Sequence, residues 1–402
     1  MSATECVDAG RLPHIAPRLS PTGRIVVLAS VAAMFLATSS APTPVYSLYS
    51  RDWGLSAGAT ALVFGTYALS LLAALLTLGR LSDHVGRRPV LLVTLAVQVV
   101  GMVVFASADG LSGLLVGRVL QGLSTGAGLA AVGSALVDTD ARRGITANAA
   151  APALGSAVGV LGAAVLVTYA PAPERTVYLV LAVLLLIEAW LVLGLPETSA
   201  REPGIIADLR PRARVPVAAR TRMLAAAPVL FAVWALSGLF GSLGPRLVHQ
   251  VTGSPSAVYG ALPLTIVGAV SPVTAYAMRT WPPRRSLVTG IAALTVGVAL
   301  TIGAVLAGSA VVLLAGSVIA GVGFGSGFRG GMQLVVPAVG VEERAGTLAA
   351  LYIVSYLGFG LPAIGAGILV EHTGSLTGTT LGYGAVLIAL ALFAAAALGR
   401  KS

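Results

Sequence analysis

Three ionisable side chains, Arg118, Glu188 and Arg329, stand inside long apolar stretches where nothing in the neighbouring sequence explains a charge. A charge in such surroundings is costly and usually functional: it can fix an anion, carry a proton, or hold a buried partner. Arg118, Gln121 and Thr125 recur at helical spacing, as do Ser326, Arg329 and Gln333, so each set shares one helix face. Glu188 is the one acid in these stretches and a candidate for proton coupling, about 10 Å from its helix end by helical rise; a buried structural partner is the competing reading. A second concentration of charge is "GRLSDHVGRRP", Gly79 to Pro89, which follows 26 uncharged residues from Trp53 to Leu78.

The elements that position these groups follow from composition. The 402 residues are 56% hydrophobic and 10% charged, with a mean hydropathy of +0.92. Soluble chains carry about 25% charged residues. Apolar runs long enough to cross a bilayer recur throughout, and nothing shows the alternating pattern of a membrane barrel. The sequence predicts an all-α membrane protein of 12 transmembrane helices, near 25–48, 57–79, 89–108, 111–137, 145–169, 177–195, 224–248, 256–278, 286–307, 309–337, 346–370 and 377–398. These divide into a tail (1–24), a six-helix bundle (25–195), a linker (196–222), a second bundle (223–398) and a short tail (399–402). The first 23 residues lack a cleavage site after a short apolar core, so an uncleaved tail is expected.

Basic residues fix the orientation. Twenty of the 25 fall on the side of both termini and the even-numbered connections, three (Arg51, Arg175, Arg246) on the other, and Arg118 and Arg329 within spans. The crowded side is expected to be cytoplasmic. The net charge of +10 then reflects topology and lipid headgroups; nucleic-acid binding would need a soluble basic domain. Cys6 is alone, so no disulfide or metal-ligand pair is expected. Lys401 is the only lysine, an arginine preference typical of a GC-rich bacterial genome, which suggests the bacterial plasma membrane.

The two bundles repeat one another. "GRRPVLLVTLAV" after span two is answered by "PRRSLVTGIAAL" after span eight, and "DARRG" before span five by "EERAG" before span eleven. Two tandem six-helix halves imply a pseudo-symmetric pair with a pathway between them.

The charged loop resembles the signature of the major facilitator superfamily, G-x-L-[SA]-D-[RK]-x-G-R-[RK]. It matches at Gly79, Leu81, Ser82, Asp83, Gly86, Arg87 and Arg88, and departs at His84. Arg118, Gln121 and Gly122 stand where the family has R-x-x-Q-G, and "LPET", Leu195 to Thr198, closes span six as is common there. The resemblance covers essentially the whole chain and is nearest to the 12-helix drug:proton antiporters. It implies that Asp83 latches the first half to the start of span eleven, here Glu343 to Gly346, when the cytoplasmic side closes. It also implies that spans one, four, seven and ten line a central cavity.

The loop residues have mechanical readings of their own. Gly79 would admit a neighbouring helix, and Gly86 suits a positive φ. Arg87 and Arg88 would pair with Asp138, Asp140 or lipid phosphates. For the cavity, Tyr46 follows the break at Pro42-Thr43-Pro44; Trp234, Ser237 and Phe240 lie on span seven; Tyr352, Tyr356 and Phe359 lie on span eleven. With Arg118, Gln121, Arg329 and Gln333 they suit an amphipathic organic molecule.

The function expected is secondary active transport of a small organic solute by alternating access, with proton-coupled efflux ahead of an uptake permease. A non-transporting sensor is a remote rival. The exporter pattern in span five is incomplete: "GSAVGVLGAA" keeps Gly155 and Gly159 but has Val160 in the proline position. No phosphate-binding loop is present for an ATP-driven pump. "GLSAG" and "GLSTG" lack the strand and partners of a serine hydrolase, and "GSGFRG" lies in a span without the strand a dinucleotide site requires. Neither enzymatic activity nor a cofactor is expected; partners are a small-molecule substrate, protons and lipids, and the chain is expected to be a monomer.

Overall fold

A computed structural model describes residues 19–199 and 215–399. The tail containing Cys6, most of the central linker and the final residues lie outside the described residues. Among the described residues, twelve helices are long and apolar enough to cross a membrane: Pro21–Asp52, Ala57–Leu78, Arg87–Ala106, Leu111–Thr139, Ala141–Tyr169, Pro173–Leu193, Val217–Ser242, Ala257–Ala277, Pro283–Ala307, Ala310–Ala338, Gly346–Thr373 and Leu376–Gly399. Every expected span has its helix, with ends within about four residues of the expected ones except in span seven, expected at 224–248 and found at Val217–Ser242. Span one is two segments, Pro21–Ser40 and Pro42–Asp52, meeting at Ala41, because prolines 42 and 44 supply no N–H to the preceding turn. Span seven is continued by a separate short helix, Gly244–Thr252.

Packing repeats between the halves. Span one lies against five, two against four, and three against four and six; seven, eight and nine repeat this with eleven, ten, and ten and twelve. Across the middle, span two packs on eleven and span five on eight. Each half has its own apolar core.

Small residues make the close crossings. A Cβ on Gly155 or Gly159 would lie 2.0 Å from the Ala33 carbonyl oxygen or 2.2 Å from that of Ala37, so span five rests directly on the backbone of span one. The two glycines of the incomplete exporter pattern therefore have a packing role here.

At the end of the bundle opposite the basic loops, four hydrogen bonds between described residues join the halves. The Ser56 hydroxyl and Gly58 N–H donate to the Glu371 carboxylate at 2.8 and 3.0 Å. Arg246 Nη2 donates to the Ser50 hydroxyl at 3.0 Å and the Leu55 carbonyl at 3.4 Å.

Candidate functional site

Span four places Arg118, Gln121, Ser124 and Thr125 in the interior of the first half, where all four are buried. The Arg118 guanidinium is 1% exposed. Its Nη1 donates to the Ser39 carbonyl at 2.8 Å and to Gln121 Oε1 at 2.5 Å, and its Nε to the Tyr46 hydroxyl at 3.1 Å; Nη2 donates to the same hydroxyl. The break in span one is what lets both contacts form: Ser39 ends the first segment and Tyr46 lies one turn into the second. Gln121 Nε2 donates in turn to the Thr38 carbonyl at 2.9 Å.

No carboxylate pairs with Arg118 among the described residues. Its charge is met instead by three aromatic rings, Tyr67 at 5.4 Å, Tyr46 at 5.6 Å and Phe105 at 5.8 Å from the guanidinium carbon, a favourable but incomplete substitute for a counter-ion. The polar cluster continues beyond the arginine. Gln98 Nε2 donates to the Thr38 hydroxyl at 2.6 Å, and the Ser124 hydroxyl donates to Gln98 Oε1. The Tyr67 hydroxyl lies beside those of Ser39 and Thr125 yet has no hydrogen-bond partner among the described residues.

An aromatic group in the second half faces Tyr67. Trp234 packs at 4.9 Å on Tyr356, 5.4 Å on Phe324, 5.6 Å on Phe359 and 6.0 Å on Phe328. Tyr67, Leu71, Trp234, Tyr352 and Tyr356 form one cluster across the halves. The buried Trp234 Nε1 has no hydrogen-bond partner among the described residues. Trp234, Tyr352 and Tyr356 are thus brought together, with Tyr67 joining them to Arg118 and Tyr46.

Other expected residues sit elsewhere. Arg329 is turned to the connection between spans eight and nine, donating to the Arg279 carbonyl at 2.6 Å, the Ser286 hydroxyl at 2.9 Å and the Trp281 carbonyl at 3.5 Å. Its length lets it tie span ten to that loop rather than reach the cavity side. Gln333, one turn on, is exposed. Glu188 is buried and accepts from the Ser30 hydroxyl at 3.1 Å, joining span six to span one. Phe240 belongs to the core of the second half, and Ser237 bonds within its own helix, to the Val233 carbonyl at 3.2 Å.

The charged loop holds a network of ion pairs. Asp83 pairs with Arg87 and, at 3.7 Å, with Arg80; Arg87 also reaches Asp138 at 3.2 Å, as its type and place suggested. Asp140 instead caps its own helix through the Arg143 N–H at 2.8 Å. Glu343 and Arg344 are exposed, and among the described residues Asp83 forms its ion pairs with Arg80 and Arg87 of its own loop. Gly86 has φ +115°. Gly79 differs from expectation: the atom its Cβ would meet is the Leu75 carbonyl oxygen of its own helix, at 2.4 Å, so it serves the helix end rather than a neighbouring helix.

Sequence reasoning left the glutamate of "LPET" without a role, and the structure supplies one. Glu197 accepts the N–H groups of Arg87 at 2.8 Å, Ser199 at 2.9 Å, Thr198 at 3.0 Å and Arg88 at 3.2 Å, capping the start of span three from the end of span six. Burial raises its carboxyl, but these donors outweigh burial and hold it below the ordinary glutamate range. A lowered folded value stabilises above the unfolded one, about pH 4.3, and the gain is lost as pH falls below that. Glu197→Gln is therefore expected to lower the melting temperature at pH 7, with the gap to wild type closing in acid. An equal gap at pH 7 and pH 3.5 contradicts the assignment.

The profile of the Major Facilitator Superfamily matches residues 27–358. The chain belongs to this superfamily. It is 34% identical over 85 residues to multidrug resistance protein D of Escherichia coli, covering 21% of this chain and 22% of the relative. It is 35% identical over 94 residues to multidrug resistance protein MdtL of Klebsiella pneumoniae, covering 23% and 24%. Each match thus spans less than a quarter of the relative's length. Among solved structures, the nucleoside transporter NupG superposes with a TM-score of 0.74 at 13% identity over 93% of this chain and 99% of that one. A bacterial homologue of the human lysosomal transporter Spinster, in an inward-facing and occupied conformation, gives 0.71 at 14% identity over 94% and 96%. At such identities these likenesses establish the fold. The chain is a multi-pass membrane protein of this superfamily by family and fold.

Proposed function

We propose that this transporter exports a small organic solute across the bacterial plasma membrane by alternating access, driven by protons entering, with both termini cytoplasmic. The observation that carries the substrate side is the buried Arg118, which has no carboxylate partner among the described residues. A guanidinium desolvated in this way costs several kcal/mol unless compensated, and a solute with an acidic or strongly electron-rich oxygen would complete its shell. Tyr67, Trp234 and Tyr356 supply the aromatic surface for the solute's flat apolar part. Export is supported by the relatives named as multidrug resistance proteins. Basic asymmetry supports the topology.

Uptake by the same architecture is the second reading, favoured by Val160 at the exporter proline position. Reconstituted vesicles with an imposed pH gradient of either sign separate the two. Screening nucleosides, aromatic carboxylates and cationic dyes, proton-driven export predicts a compound that accumulates only in vesicles acidic inside and whose entry alkalinises the lumen. Accumulation only with the opposite gradient establishes symport, and movement of every transported compound independent of the gradient removes proton coupling.

A further inference from the structure

At the end of the molecule away from the basic loops, one carboxylate joins the halves at a helix start. Glu371, in the last turn of span eleven, accepts from the Ser56 hydroxyl and the Gly58 N–H. These are the N-cap residue and second residue of span two, so the anion sits where a helix presents unsatisfied donors and the positive end of its dipole. Gly58 is required: a Cβ there would lie 2.1 Å from the carboxylate oxygen. One turn back on span eleven, a Cβ on Gly367 would fall 2.2 Å from that of Ala61. Two turns into span two, a Cβ on Gly65 would meet the Ile364 side chain at 2.3 Å. The crossing is therefore tight for about two turns below the carboxylate. Arg246, on the short helix after span seven, adds a tie to Ser50 and Leu55 and bears electrostatically on Glu371.

We propose that Glu371 is the positioning residue that holds the outward-closed state: its carboxylate clamps spans two and eleven at the outer end and must leave the start of span two for the outer side to open. Toward the basic end the same two helices still pack together, with Leu72, Leu75 and Leu76 beside Tyr352 and Ile353. There the superfamily resemblance puts a carboxylate from the span-two side on the span-eleven start. Glu371 inverts this arrangement, and one helix pair would then carry a latch at each end. The inference rests on the alternating-access reading above.

The test uses the full chain with Cys6→Ser and single reporter cysteines. Ile364→Cys, wedged against Gly65, reports outer opening by its reaction with a membrane-impermeant maleimide added outside. Leu76→Cys, near the basic end of span two, reports inner opening in inverted vesicles. Glu371→Gln and, independently, Gly58→Ala are expected to raise outer labelling at least tenfold while lowering inner labelling. General loosening of the fold would raise both, and that result, or unchanged outer labelling, overturns the latch. A bis-maleimide bridge between Ser50→Cys and Arg246→Cys separates the two failures. If the bridge protects Ile364→Cys while Glu371→Gln has no effect, only the latch falls; if the bridge leaves outer labelling unchanged, alternating access falls with it.

Discussion

Gly159→Leu is expected to abolish accumulation of folded protein. Its first side-chain atom would stand 2.2 Å from the Ala37 carbonyl oxygen and 2.3 Å from the Ala37 Cα, and neither can yield without separating spans one and five. Overpacking against mobile side chains costs about 1–3 kcal/mol; a backbone obstacle on two helices exceeds that. Gly162→Leu, three residues on, is the matched control, since nothing lies within 4 Å of its added Cβ. Size-exclusion profiles of the fluorescently tagged variants should show at least a tenfold loss of the monodisperse peak for Gly159→Leu and a normal peak for Gly162→Leu. Equal peaks would contradict the packing described for span five.

Arg118→Lys carries the second large effect, on function rather than folding. Lysine keeps the charge but not the planar fork, so it cannot reach Tyr46, the Ser39 carbonyl and Gln121 together as the guanidinium does. The orphaned acceptors lie next to the proline break of span one, and the solute loses the donor that completes its oxygen's shell. Initial transport rates should fall at least tenfold while the melting temperature changes by only a few degrees. A variant that melts normally and transports normally would reduce Arg118 to a spectator; one that fails to fold would make it a structural residue.

How much of this was legible beforehand depends on how local the cause is. Twelve spans were readable because each is a contiguous apolar run, and the proline pair 42 and 44 announced the break in span one. Arg118 stood out because a lone charge in such a run has no neighbour to explain it, and the spacing to Gln121 and Thr125 placed them on one face correctly. What satisfies Arg118 was not readable: the Ser39 carbonyl and Tyr46 come from another helix, and a backbone acceptor leaves no mark on a sequence. Gln98 and the Thr38-Ser39-Ser40 run carried a faint signal, an amide and three hydroxyls in apolar surroundings. Arg329 was placed on its helix correctly, but helical spacing does not say which way a long, flexible side chain turns at a membrane boundary. Glu197 and Glu371 were missed for a shared reason. Both cap helix starts far away in the chain, and a long-range cap has no spacing to recognise.

The account stands most directly on recognition at the Arg118 face of span four. The deciding measurement is the thermal stabilisation produced by the best-transported compound from the vesicle screen, compared in wild type, Arg118→Lys and Gln121→Ala. The compound should raise the melting temperature of wild type and raise it much less in both variants, the lysine form losing most for compounds with an acidic oxygen. Undiminished shifts in both variants would place the solute elsewhere and contradict the site.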